Sequence, residues 1–261
     1  MEPLDSPHSS SEVVTASIGE RIKAMVIDHS LYTFGLATIY LLLFMNDNFD
    51  DQSPQEFILS LAAVMIPGMF LYLAKDAVKG GSLGKWLSGI CVRDAENSEE
   101  IPSAGRLIKR NIPLLIWPIE LIALSKKPKK QRIGDRLANT QVIQNPNAAP
   151  RGKRIVVAIA SGLTIIALFT TSINLLFMNS EAYKVAKQEI SMNEEILEVT
   201  GGIDDFGRII SGSIGTRNGK STAFFEMNVY GEIGDVFVSI SLRKDEEKNW
   251  YVSHSYWEPI R

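Results

Sequence analysis

The sequence predicts an α-helical integral membrane domain followed by a small α+β domain, a helix packed on an antiparallel β-meander. Two observations predict it. Apolar and charged residues are segregated into blocks, so the averages of 45% hydrophobic and 22% charged over 261 residues describe no region well. Four apolar runs lie between residues 24 and 178, and after residue 180 the hydrophobic period switches from helical to strand-like.

Residues 1–19 are Ser-rich, carry no cleavable signal pattern and read as a disordered cytoplasmic tail. A membrane domain is expected over 20–145. Its first run, 24–45, has Asp28 as its only formal charge and matches the roughly 20 residues a helix needs to cross a bilayer. An acidic loop with Asp47, Asp50, Asp51 and Glu56 follows, and the second run, 57–74, returns the chain, with a kink expected at Pro67-Gly68. Residues 75–106 read as a polar, Gly-rich loop bearing Lys75, Lys79, Lys85, Arg93 and Arg106.

The third hydrophobic stretch, 107–125, is poorer, holding Lys109, Arg110, Asn111, Pro113, Pro118 and Glu120. Two prolines and basic flanks predict a broken or interfacial segment. Lys126 to Arg136 is the most basic segment and suits anionic headgroups, at about 1 kcal/mol per basic residue. Trp86 and Trp117 suit the membrane interface. A linker is expected at 146–154, then a charge-free transmembrane helix at 155–178. Basic loops stay cytoplasmic. The acidic first loop therefore belongs outside and the N-terminus inside, in a multi-pass protein of the cell (cytoplasmic, inner) membrane. A third stretch that crosses fully would leave the C-terminal domain inside, while a broken or interfacial one, which keeps every basic cluster cytoplasmic, carries it outside.

Residues 180–261 form the soluble α+β domain. Ser180 is an expected N-cap, with Tyr183, Ala186 and Ile190 at helical spacing, and a short turn from Asn193 stops at Gly201-Gly202. Ala223, Phe225, Met227 and Val229 share one strand face, as do Val236, Val238, Ile240 and Leu242, and then Trp250, Val252, His254 and Tyr256. Asn218-Gly219 is a hairpin turn. The expected object is one helix on four strands. With 14 acidic and 9 basic residues it is not a cationic lipid-headgroup binder.

Composition excludes some functions. The single Cys91 rules out an internal disulfide and a Cys-based zinc cage, and three scattered histidines suggest no metal site. No compact basic domain with interleaved aromatics points to nucleic acid. Gly80-x-x-x-Gly84-Lys85 is one residue short of a phosphate loop and is followed by Trp86 in place of Ser or Thr. Gly81, Gly84 and Gly89 are instead expected to permit tight turns. His254 reads as a packed edge histidine. No cofactor is implied and no enzyme is expected.

Arg21 and Asp28 lie seven residues apart and share a helix face, so Asp28 is a candidate ion or proton ligand with Arg21 or Arg136 as partner. Asp135 would complete the network.

Three segments carry a resemblance. They are Arg21-x-x-Ala24-x-x-Ile27-Asp28; Gly81-Ser-Leu-Gly84-Lys85-x-Leu87-x-Gly89-Ile-x-Val92, with Pro102 and Arg106…Arg110 after it; and Arg132-Ile-Gly134-Asp135-Arg136-Leu-Ala138-x-Thr140-x-Val142. Residues 21–142 resemble the RDD family of bacterial membrane proteins, named for one arginine and two aspartates. The departures are Trp86, where the family has a basic residue, and the proline-broken third stretch. Ser180-Glu-Ala-Tyr183-Lys, Ile196-Leu-Glu…Gly201 and Gly212-Ser-Ile are similar to the cytochrome-oxidase-complex assembly factor family, related in fold to a subunit of the mitochondrial presequence translocase.

The resemblances imply two functions. One is a non-enzymatic membrane scaffold or assembly factor, with the bilayer, another membrane protein complex or a second copy as partner. The other is a cation or proton transporter, as suggested for some RDD members, with Asp28 and Asp135 titrating.

Overall fold

The computed structural model describes residues 13–44, 53–116, 118–119, 122, 131–217 and 220–260. Trp117, Glu120, Lys126 to Lys130, the first twelve residues, most of the acidic first loop and the Asn218-Gly219 turn lie outside the described residues. The chain divides into two compact units, residues 1–34 with 65–165 and residues 35–64 with 166–261. Among the described residues, three helices are long and apolar enough to cross a membrane: α1 (Ile18–Phe44), α2 (Pro54–Ala74) and α6 (Arg151–Asn179). Only 11%, 22% and 6% of their apolar windows are buried within the protein, which leaves most of their surface for lipid.

In the first unit, the segment expected as a polar loop is structured. It holds a short helix α3 (Leu83–Ser88), a strand β1 (Ile90–Asp94) and the start of α4 (Ala104–Asn111). Ser82 caps α3 by accepting from the Lys85 N–H, and Gly89 ends it at φ 73°, a left-handed position that suits glycine. β1 pairs antiparallel with β2 (Thr140–Gln144), Val92 opposite Val142, and α5 (Ile133–Leu137) precedes β2.

In the described part of the third hydrophobic stretch, the α-helix ends beside Pro113. After eight residues, α4 gives way to a 3₁₀ turn, Ile112–Ile116, that contains Pro113. At 1.5 Å per residue α4 is about 12 Å long and cannot span a bilayer.

Two boundaries are corrected. Residues 13–17, read as tail, are tied down: the Ala16 N–H donates to Val142 O at 3.0 Å, the Gln144 N–H donates to Val14 O at 2.9 Å, and Ala16 is buried. A β-region segment beside an exposed edge of β2 satisfies that edge. The expected linker 146–154 ends early, because α6 starts at Arg151 just after Pro150 and its first turn is polar.

In the second unit, α7 (Glu181–Met192) and α8 (Glu194–Thr200) carry the expected caps. Ser180 Oγ accepts from the Tyr183 N–H at 3.2 Å, Asn193 Oδ1 from the Ile196 N–H at 3.0 Å, and Gly201 closes α8 at φ 73°.

The sheet has five strands rather than four: β3 (Ile203–Phe206), β4 (Ser211–Arg217), β5 (Lys220–Gly231), β6 (Val236–Lys244) and β7 (Trp250–Pro259). β3 and β4 share one edge of β5, β3 beside its end and β4 beside its start, and β6 and β7 follow as a meander. β3, with Asp204 and Asp205 in its four residues, shows no apolar alternation and was invisible to pattern. The core gathers Phe177, Tyr183, Ile190, Phe225, Val238 and Ile240, among others, between the helices and one sheet face. The Phe225 ring meets Phe177 and Tyr183 edge-on at 5.8 and 5.6 Å.

The last strand corrects a face assignment. A bulge falls where Leu242 pairs with Val252 but Ser241 pairs with His254, so Ser253 is the extra residue. One extra residue moves everything after it to the other face. Trp250 and Val252 face the core, His254 and Tyr256 face away, and Trp257 joins the core in their place.

Candidate functional site: a buried ion network

Three aspartates and five basic side chains meet inside the first unit. Asp28 comes from α1, Asp76 from the turn after α2, and Asp135 from α5. Asp28, Asp76 and Asp135 are 7%, 0% and 0% exposed, so each carboxylate must be bonded to be tolerated.

Each is. Asp28 Oδ2 accepts from the Ser82 hydroxyl at 2.6 Å and Oδ1 from the Gly84 N–H at 2.7 Å, with Lys75 Nζ at 3.4 Å. Asp76 Oδ1 accepts from Lys85 Nζ at 2.6 Å and Oδ2 from the Arg110 guanidinium at 2.5 Å. Asp135 Oδ1 accepts from Arg110 Nε at 2.8 Å, while Oδ2 pairs with Arg21 and accepts from the Arg132 N–H at 3.2 Å. Arg110 thus bridges Asp76 and Asp135 through two edges of one planar guanidinium, a task its fork geometry suits and a lysine could not perform. Asn111 extends the network outward: Arg132 donates to Asn111 Oδ1 at 2.9 Å, and Asn111 Nδ2 to Leu73 O at 2.9 Å.

Two glycines make the approaches possible. A Cβ on Gly84 would lie 2.2 Å from Ala24 O and 2.7 Å from Asp28 Oδ1, so α3 can rest on α1 only with hydrogen at that position. A Cβ on Gly134 would lie 1.9 Å from Arg110 O, so α5 rests on α4 in the same manner. Each glycine delivers an aspartate to its partners. Gly89 serves as a left-handed cap, whereas a Cβ on Gly81 would meet open space. The positive φ values in that turn belong to Lys79, at 54°, and Gly80, at 67°.

The electrostatics follow from this packing. Burial alone would raise Asp76, but the Lys85 ammonium and Arg110 guanidinium outweigh it and hold the carboxyl well below its ordinary range. Burial likewise opposes Asp135, and Arg110, Arg21 and Arg132 together hold it low. The cations feel the reverse. Burial pushes Lys85 down to about 8 despite Asp76, and lowers Lys75 and Arg132 as well.

Arg21, Asp28 and Asp135, singled out from sequence, come together here. Arg136 does not: its side chain is exposed on α5, and it is Arg132 that turns inward, onto Asp135. Asp28 meets Ser82, Gly84 and Lys75 in place of Arg21 or Arg136. Sequence reasoning missed Asp76, Lys75 and Asn111, and quoted Lys85, Arg110 and Arg132 only as motif letters. A charged pair directly after an apolar run, Lys75-Asp76, was the available signal.

Short helices pinned beneath apolar ones by arginine–aspartate pairs define a membrane-embedded domain with an internal charge lock. The RDD family model matches residues 15–178, well over half the chain, and the protein belongs to the RDD family. The matched span holds every residue of the network and stops short of the α7–β7 domain. Comparison with curated proteins and with solved structures returns no match.

Proposed function

We propose that this protein is a membrane-anchored scaffold or accessory factor, non-enzymatic, whose C-terminal α+β domain docks a partner outside the cytoplasm. The observation that carries this reading is the outward face of the sheet. Its cross-strand rows are Phe224–Ser241–His254, Glu226–Ser239–Tyr256 and Asn228–Phe237–Glu258. Tyr251 and Tyr256 are 46% and 52% exposed. Aromatic rings set among small polar residues suit a protein partner, because they offer contact area at low entropic cost. The likeness to oxidase assembly factors points the same way, and another membrane complex or a second copy would fit such a face.

The network supports the scaffold over cation or proton transport. Asp28 and Asp135, the carboxylates a cation would need, are already bonded, and Asp135 is held in its charged form by three arginines. A vesicle flux assay on wild type and Asp28→Asn tests this: proton or sodium flux that the substitution abolishes would overturn it. Photo-crosslinkers at Phe237 and Tyr256, compared with one at exposed Ile209, are expected to give a defined adduct from the sheet positions alone.

The multi-pass orientation in the cell membrane rests on charge and parity. Lys75, Lys79, Lys85, Arg106 and Arg151 follow or precede the same ends of three apolar helices, which supports a cytoplasmic side for those ends and the N-terminus. Reporter fusions after Ser125 and after Arg261 should read cytoplasmic and external; the opposite at Arg261 would overturn the orientation.

A further inference from the structure

The ion network encloses a cavity of about 30 Å³, lined by Arg21, Lys75, Lys85, Arg110, Arg132 and Asp28 among others. At roughly 10 to 15 Å³ per water, it holds the equivalent of two or three waters, room for the two or three oxygens that one phosphate group would turn inward. Its walls are unbalanced. Five cationic side chains face one carboxylate across the cavity. Counting Asp76 and Asp135 behind them still leaves five basic against three acidic groups among the described residues. An excess of positive charge in a water-poor site is costly until an anion enters it.

Donors are also in place. Both Asp28 oxygens are engaged by Ser82, Gly84 and Lys75, so the cavity offers little acceptor capacity to a cation. Lys75 presents an ammonium with three N–H groups to one Asp28 oxygen at 3.4 Å and to the face of Tyr72 at 3.9 Å. Lys75 and Arg132 keep 12% and 11% of their side-chain surface open, which is the way in.

We infer that this cavity is an oxyanion site, built to take one phosphate group, carried by a membrane phospholipid or free in solution. Lys75 supplies N–H donors and a point charge at the entrance, and the buried guanidinium groups behind it, bonded to the aspartates, supply the positive field that favours an anion. The site stands whether or not the C-terminal domain docks a partner, because every residue of it belongs to the first unit.

The test uses the full-length protein, stripped of lipid in a sugar-headed detergent that contains no phosphate. Inorganic phosphate is titrated against chloride at equal ionic strength while the thermal unfolding midpoint is followed. In parallel, native mass spectrometry counts phosphatidylglycerol retained on the protein. Saturable stabilisation by inorganic phosphate supports a soluble source. Retained phosphatidylglycerol that abolishes the phosphate response supports a lipid source. In either case Lys75→Gln should weaken binding about tenfold, the worth of one charge-assisted hydrogen bond, and Lys75→Arg should restore most of it. The inference fails if phosphate and phosphatidylglycerol both do no more than chloride, or if a folded Lys75→Gln variant binds as wild type does. Should Lys75→Gln not fold, the wild-type titration against chloride decides alone.

Discussion

The two units of this protein solve the same problem by opposite means. Among the described residues the first has a buried apolar cluster of four, Ala16, Ala24, Ile90 and Val142, with Val92, Leu107, Leu114 and Ile143 also buried, and it adds a network of buried charge. The second buries sixteen hydrophobic side chains, from Phe177 to Trp250, and holds its sheet by packing. The contrast follows from solvent. Beside lipid, apolar side chains gain little by leaving a hydrocarbon surroundings for a protein interior, so polar pairs specify which helix meets which. In water, burying Phe225 and its neighbours is itself the driving force.

The comparison can be broken most severely at Arg110. Arg110→Met leaves Asp76 and Asp135 short of a partner at once. Stability of the first unit should fall by about 3 to 5 kcal/mol, read as a lowered unfolding midpoint and reduced accumulation in membranes. If the units are independent in kind, the circular-dichroism signal of the β-sheet survives that substitution. Phe225→Ala is the mirror experiment. It removes a ring packed against Phe177 and Tyr183 and should cost about 3 to 5 kcal/mol, with loss of sheet signal but not of the ion network.

Acid sharpens the contrast next. Asp76 and Asp135 are held below the ordinary carboxylate value of 3.8, so they bind protons later in the folded state than in the unfolded one. Their contribution is fully present above that value and is lost as pH falls below it. An unfolding midpoint measured from pH 6 downwards should therefore hold level and then drop, and Asp135→Asn should flatten the drop. The smallest effect lies in the second unit. Asn193→Ala removes one cap of α8 and should cost about 1 kcal/mol by denaturant titration.

Much of this was legible beforehand, for reasons that differ by region. Apolar runs long enough to span a bilayer, the caps at Ser180 and Asn193, and the alternation through β5 and β6 are each written in a few consecutive residues. Arg21, Asp28 and Asp135 were recognisable because charge beside an apolar run is rare. Asp76 was not, since a charge just past a helix end looks like solvation until the chain returns over it. Arg132 and Arg136 flank Asp135 almost symmetrically in sequence, and only the geometry of α5 decides that one turns inward. The bulge at Ser253 left no mark at all, because Ser, His and Tyr tolerate either face. Nor did β3, whose pairing is set by its neighbour's free edge.

Chain separation gives the lock a consequence in time. Arg21 binds Asp135 across 114 residues, and Arg110 binds Asp76 across 34. While the first two apolar helices are being made, Arg21 lacks Asp135 and Asp76 lacks Arg110, because neither partner has yet been synthesised. Until residue 135 emerges, this half of the protein is an insertion intermediate with exposed charge at the membrane rim, open to chaperones and quality-control proteases. Stalling translation while residue 135 is still inside the ribosome, and again once it has emerged, would separate a degradable nascent chain from a resistant one.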